Sequence, residues 1–233
     1  MLSSDRVFIN GVSSDSIDLY VDTPPVPAPA VRRYDVYSTG SDEDTTIPDE
    51  TYEDVAYELT CYDFKKPTDY SNSSKVYEFF QNAKTLTISR YPGVYFKVRQ
   101  VVVYTETEYD ANRIRYRVSF LLAPFKYLSE NPEITIDSGD FVKNEGNRYS
   151  KPTFYINATG DITLEVNGER FQITLDGYNS IVVECGKYAV FKDGKLLTCV
   201  TSGKFPFLAP GQNRIVYSGS VQSFKLKVNA RCY

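Results

Sequence analysis

PTFYINATGDITLEVNGERFQITLDGYNSIVVEC, residues Pro152–Cys185, decides the architecture of the second half of the chain. Apolar and polar residues alternate along it, the period of a half-buried strand, and Asn167-Gly168 stands between ITLEV and RFQITL as a two-residue hairpin turn. VFKDGKLLT repeats the arrangement around Asp193-Gly194, and IVYSGSVQSFKLKVNARCY reads as two strands around Ser218-Gly219-Ser220. About eight short strands at hairpin spacing, without a helical stretch, predict an antiparallel β-sandwich over residues 151–233.

Upstream the pattern changes. LSENPEITIDSGDFVKNEGNRYS, residues 128–150, is polar with little period and reads as a linker holding at most a short strand at EITI. Residues 1–127 mix strands with one helix and are expected to form a separate α+β domain. RVFINGV and SIDLYVD alternate on either side of a tight turn, and TPPVPAPAV then places four prolines between Thr23 and Val31. Proline cannot donate to a ladder, so this piece is expected to be extended at a sheet edge. SDEDTTIPDETYED, residues 41–54, holds seven carboxylates and no cation and reads as a solvated loop. In SNSSKVYEFFQNAK, Val76, Phe79, Phe80 and Ala83 recur at i, i+3, i+4 and i+7, which predicts a helix with a core-facing stripe. Three strands follow through Phe125, with turns at YPG and at Asp110–Asn112 and a stop at Pro124.

Composition removes several chemistries. The 233 residues include no histidine, which excludes Ser-His-Asp and Cys-His machinery and His-ligated zinc. Cys61, Cys185, Cys199 and Cys232 show no CxxC spacing, and the apolar surroundings of Cys185 and Cys199 suit free buried thiols. No segment approaches the ~20 apolar residues of a membrane span, and the N-terminus lacks an apolar stretch of secretory length, so folding in a reducing cytosol is the expectation. The net charge of −4 is uneven: residues 1–127 carry 14 cations against 19 acids, and residues 128–233 carry 12 against 11. An acidic first half disfavours binding of nucleic acid through a basic groove. Twenty Tyr and fourteen Phe without Trp favour strands and protein-facing surfaces. A carboxylate glycosidase needs two acids on rigid elements across a cleft, and Asp161, Glu165 and Glu169 beside one hairpin do not form such a pair. The chain therefore reads as a non-enzyme with neither cofactor nor metal.

The order of these features resembles the distal tail protein (Dit) family of long non-contractile-tailed bacteriophages. RVFINGVSSDSIDLYVD is similar to the family's opening strand pair, with the Pro-rich segment behind it. VYEFFQNAKTLTISRYPGVYFKVRQVVV is similar to its helix, short strand and long strand, and VSFLLAPFKYL to its closing strand. SKPTFYINATGDITLEVNGERF and GKFPFLAPGQNRIVYSG resemble its C-terminal galectin-like or carbohydrate-module-like sandwich. STGSDEDTT departs from the family's Gly-rich turn, and Phe79 or Phe80 stands where members often carry Trp.

The resemblance implies a mainly β structural hub assembled in the host cytoplasm and located at the virion tail tip. It implies a homo-oligomeric ring of six copies between the tail tube protein and the tail-associated fibre or lysin protein, through which DNA passes without specific binding. It also implies a C-terminal sandwich that in some members holds receptor-binding proteins. The alternative function is a carbohydrate-binding adhesion module for host glycans at a virion or cell surface, with Tyr149, Tyr155, Tyr178 and Tyr188 as stacking candidates. Within the ring reading, residues 17–40 form part of the subunit contact through Leu19, Tyr20, Val21, Pro24, Pro25 and Tyr34. Asp42, Glu43 and Asp44 are candidates for a lumen wall that repels DNA. In GKFPFLAPGQNRIVYSG, Phe205, Phe207 and Leu208 have two readings: a plug for one open end of the sandwich, or an exposed anchor for a partner.

Overall fold

A computed structural model describes residues 5–37, 45–64, 72–108, 113–175, 180–197 and 200–233. The chain divides into two compact units, Met1–Tyr127 together with Tyr233, and Leu128–Cys232.

In the first unit the strands are β1 (Val7–Ile9), β2 (Val12–Ser13), β3 (Tyr20–Val21), β4 (Arg32–Tyr37), β5 (Thr45–Tyr52), β6 (Val55–Asp63), β7 (Thr85–Ile88), β8 (Val94–Glu108) and β9 (Arg113–Leu128). One sheet runs in the order β2-β1-β7-β8-β9-β6-β3, and β4 and β5 form a separate hairpin. Asn10 and Gly11 both take positive φ, 52° and 85°, which closes the β1–β2 hairpin with Ile9 opposite Val12. Between β2 and β3 the chain makes a 3-10 turn at Ser14–Ile17 instead of a longer strand, capped by Ser13 Oγ accepting from the Asp15 amide at 3.3 Å. The helix α1 (Ser73–Gln81) buries Val76 and Phe80 against the sheet, and Phe80 meets Phe120 edge-on at 6.0 Å. Asn72 stands at its N-cap position without capping it, because its amide donates to Asp63 Oδ2 and to the Ile17 carbonyl.

Two expectations fail here. The acidic stretch is not all loop: Thr45–Tyr52 within it form β5, paired with β4 from Tyr37↔Thr45 to Arg32↔Tyr52. Pro124 does not end its strand, since β9 continues to Leu128. Leu122 and Ala123 are both buried, so the in-out alternation slips there, and such a slip is where a strand tolerates a residue without N–H.

The second unit holds β10 (Ile134–Thr135), β11 (Phe141–Asn144), β12 (Thr153–Val166), β13 (Glu169–Thr174), β14 (Ser180–Glu184), β15 (Ala189–Lys192), β16 (Lys195–Leu196), β17 (Val200–Gly203) and β18 (Gly211–Lys227). Residues 128–150, expected as a linker, supply β10 and β11, both paired with β18, and bury Ile136 and Val142 in this unit's core. β10 falls within EITI, where a short strand was expected, whereas the short apolar content of β11 hid it among polar residues. The hairpin turns fall at Asn167-Gly168 and Asp193-Gly194, each residue at positive φ.

The largest departure is length. β12 runs unbroken through ATGD, and β18 runs through SGS, where a turn between two strands was expected. The two pair from Thr153↔Lys227 to Val166↔Ile215, with register shifts at Asn157/Ala158 and Thr159/Thr163. Gly219 at φ 114° lies against the Asp161 carbonyl so closely that a Cβ would collide with it. Both strands therefore bend together at this bulge. Their first and second halves serve opposite ladders: β12 pairs with β14 before the bend and with β13 after it. Phe154, Ile156, Leu164, Phe171, Ile215 and Phe224 meet inside.

Candidate interaction surfaces

The residues singled out for subunit contact divide by burial. Leu19 and Val21 are buried in the core of the first unit and Pro24 is buried as well, so these three anchor the segment instead of meeting a neighbour. Alternation along β3 turns their side chains inward while Tyr20 points out. Tyr20 and Pro25 are exposed, and the side chain of Tyr34 lies outside the described part. Tyr20 meets Phe64 edge-on at 5.0 Å, Phe64 lies 6.2 Å from Tyr62, and the Arg113 guanidinium covers the Tyr62 ring at 4.1 Å. Sequence spacing could not find this aromatic group, because Tyr20 and Arg113 come together only through the β3-β6-β9 order.

The Pro-rich segment 23–31 runs extended beside β6. The Tyr57 hydroxyl donates to the Pro25 carbonyl at 3.1 Å and the Glu53 amide to that of Val31 at 2.9 Å. Beneath it lies a cavity of about 210 Å³ whose walls include Pro27, Pro29, Val55, Phe96 and Leu122. The lining is apolar apart from Lys126 and Tyr233. Asp42, Glu43 and Asp44 lie outside the described residues. On the described part of β9, Arg115 and Arg117 both reach Glu106, at 3.4 and 2.9 Å.

The apolar turn resolves into two halves. Leu208 is fully buried, Pro206 is buried, and Phe205 packs partly against the core, 4.6 Å from the Phe171 ring. Phe207, between them, is 48% exposed and meets Tyr149 edge-on at 5.1 Å. One segment is thus plug and exposed surface at once. Asn213 sets the split. Fully buried, it accepts from the Ala209 amide at 2.7 Å and from Asn167 Nδ2 at 2.8 Å, and donates to the carbonyls of Ala209 and Gly211 at 2.8 and 2.9 Å. Backbone bonds between Ser150 and Leu208, at 2.9 and 3.0 Å, tie the turn to the segment that carries Tyr149.

The remaining candidates are scattered. Tyr155 carries Lys227 over its ring at 5.7 Å, Tyr188 accepts from Lys151 Nζ at 2.8 Å, and Tyr178 lies outside the described residues. Glu165 is paired with Arg170 at 3.1 Å on the outer face of the β12–β13 hairpin. Cys61, Cys185 and Cys232 are free, and Cys199 lies outside the described residues. Burial, with Asp22 adding to it, pushes the Cys61 thiol up to about 12, and burial pushes Cys185 to about 12. Both stay protonated at neutral pH and are poor nucleophiles. Among the described residues no three His, Cys, Asp or Glu side chains group as metal ligands. No described helix is long and apolar enough to cross a membrane.

No protein-family model and no curated protein sequence matches the chain. Solved structures do. The SPP1 Dit (gp 19.1) protein, a hub of the adsorption apparatus in phages that infect Gram-positive bacteria, is similar over 98% of this chain and 99% of its own. The TM-score is 0.66 at 13% identity. Chains of the phage P2 baseplate in its activated conformation match with Ca at TM-score 0.52, 9% identity and 97% coverage of both chains. With Sr the values are 0.52 and 10%, with 97% and 98% covered. The fold is therefore Dit-like along nearly the whole chain, in agreement with the resemblance carried by the sequence.

Proposed function

We propose that the protein is a structural hub of a bacteriophage tail tip or baseplate. In this reading six copies close into a ring that joins the tail tube to the tail-associated fibre or lysin protein and lets DNA pass. The supporting observation is the fold likeness to the SPP1 Dit protein over 98% of the chain. A closed ring repeats one heterologous interface, so each copy presents two different patches. Tyr20 and Pro25, exposed on a segment anchored by Leu19, Val21 and Pro24, supply side chains for one of them. Asp42, Glu43 and Asp44 keep the lumen wall from attracting phosphate. In the second unit, Tyr149 and Phe207 form the exposed anchor for a receptor-binding protein or host glycan.

The deciding experiment is light-scattering mass measurement of the purified chain with negative-stain imaging. A six-fold annulus is the expected result. A chain that stays single at high concentration, and also fails to join tail components when mixed with them, rejects the proposal.

A further inference from the structure

β6 pairs with β9 along its whole length, from Val55↔Leu122 to Asp63↔Ile114, without a slip in register. Among the described residues, its other edge is covered by strand only at one end. There β3 lies opposite Cys61 and Tyr62, and the Asp22 amide donates to the Thr60 carbonyl at 2.9 Å. On an unbroken antiparallel strand, the N–H and C=O of one residue point to the same edge and every second residue shares it. The backbone groups of Ala56 and Glu58 therefore face the same side as those of Thr60.

What runs along that side is the Pro-rich strap, Thr23–Val31. Among the described residues no backbone bond joins the strap to Ala56 or Glu58; the Glu53 amide, just before β6, donates to the Val31 carbonyl next to the Arg32↔Tyr52 pair of the β4–β5 hairpin. The strap is held all the same, by those two end bonds, by the Tyr57 hydroxyl on the Pro25 carbonyl, and by burial of Pro24. Its prolines at 25, 27 and 29 alternate, so three successive positions sharing one direction have no donor. Outward it shows Val26 at 79% exposure, an apolar residue in a segment that cannot build a ladder.

We propose that the strap is a guard on the β6 edge. It fills the space that a strand from a second copy would need in order to pair with Ala56 and Glu58, and it cannot itself become a pairing edge. An open edge is a template for open-ended association, and an edge covered by alternating proline is not. Pro25 serves both readings, and the size of the species separates them: loss of the ring leaves single copies, whereas association through an unguarded edge grows without limit.

The full chain with Pro25, Pro27 and Pro29 each replaced by Thr restores donors and β propensity at unchanged strap length. Sedimentation and thioflavin fluorescence are expected to show open-ended sheet aggregates at a concentration at least about tenfold below that needed by the unaltered chain. Tyr57→Phe removes only the latching hydroxyl and is expected to move the threshold in the same direction by less. This second variant decides the matter if the triple variant does not fold. Folded variants with the size distribution and threshold of the unaltered chain overturn the proposal. So does concentration-dependent protection of the Ala56 and Glu58 amides from hydrogen exchange in the unaltered chain, because a neighbour then already pairs there.

Discussion

Asn213 shows how much a single side chain decides. The turn that it bridges holds two prolines and three large apolar residues, and without its amide the Ala209 N–H and two carbonyls would be buried without partners. Asn213→Ala is expected to destabilise the second unit by about 2–3 kcal/mol in urea unfolding, because several polar groups lose their partner together. Its neighbours in the same turn divide the other way. Leu208→Ala is expected to cost about 2–5 kcal/mol through cavity formation, whereas Phe207→Ser, at a half-exposed ring, is expected to change stability by less than about 1 kcal/mol. The second substitution is therefore a fair probe of partner binding, and the first is not. The sequence named the three apolar residues and their two readings. Which ring would point inward was not legible, because it depends on Phe171 and Tyr149, contributed by separate parts of the chain.

Among the elements, the two long strands of the second unit carry the most information. β18 was expected as two strands, since Gly219 sits between two serines that usually mark a turn, and its partner β12 carries Gly160 at the same bend. Both glycines take positive φ, 74° and 114°, but as a shared bend between paired strands and not as reversals. Local sequence does not separate these cases: a bend and a turn ask for the same residue, and only the partner strand settles which forms. Gly219→Ala puts a methyl group onto the Asp161 carbonyl at a backbone angle that alanine rarely adopts. It is expected to lower stability by at least about 2 kcal/mol, with hydrogen exchange accelerated first on both sides of the bend. The opposite result, unchanged exchange along β12 and β18, would mean that the bend is not shared. Two-residue turns were legible because Asn-Gly and Asp-Gly specify the reversal without outside help.

For the whole molecule, each unit buries a cysteine whose thiol is pushed up to about 12, Cys61 in the first and Cys185 in the second, against an ordinary value of 9.0. The folded state binds these protons more tightly than the unfolded chain. Their contribution to stability is complete below pH 9.0 and is lost as pH rises towards about 12. Urea midpoints are expected to fall across that alkaline window and to fall less in Cys61→Ala and Cys185→Ala variants. Burial of the Tyr57 phenol raises its pKa too and adds to the same trend. Alternation, turn dipeptides and the helical stripe of Val76 and Phe80 needed only neighbours along the chain, so the sequence alone determined a mainly β chain with its helix and its hairpins in this order. The tertiary structure alone decided that residues 128–150 join the second unit, that Leu19 and Val21 are buried while Tyr20 is exposed, and that Phe207 turns outward. Each of these depends on which distant strand supplies the facing surface, and strand pairing across long separations is a property of the packed molecule rather than of any local window.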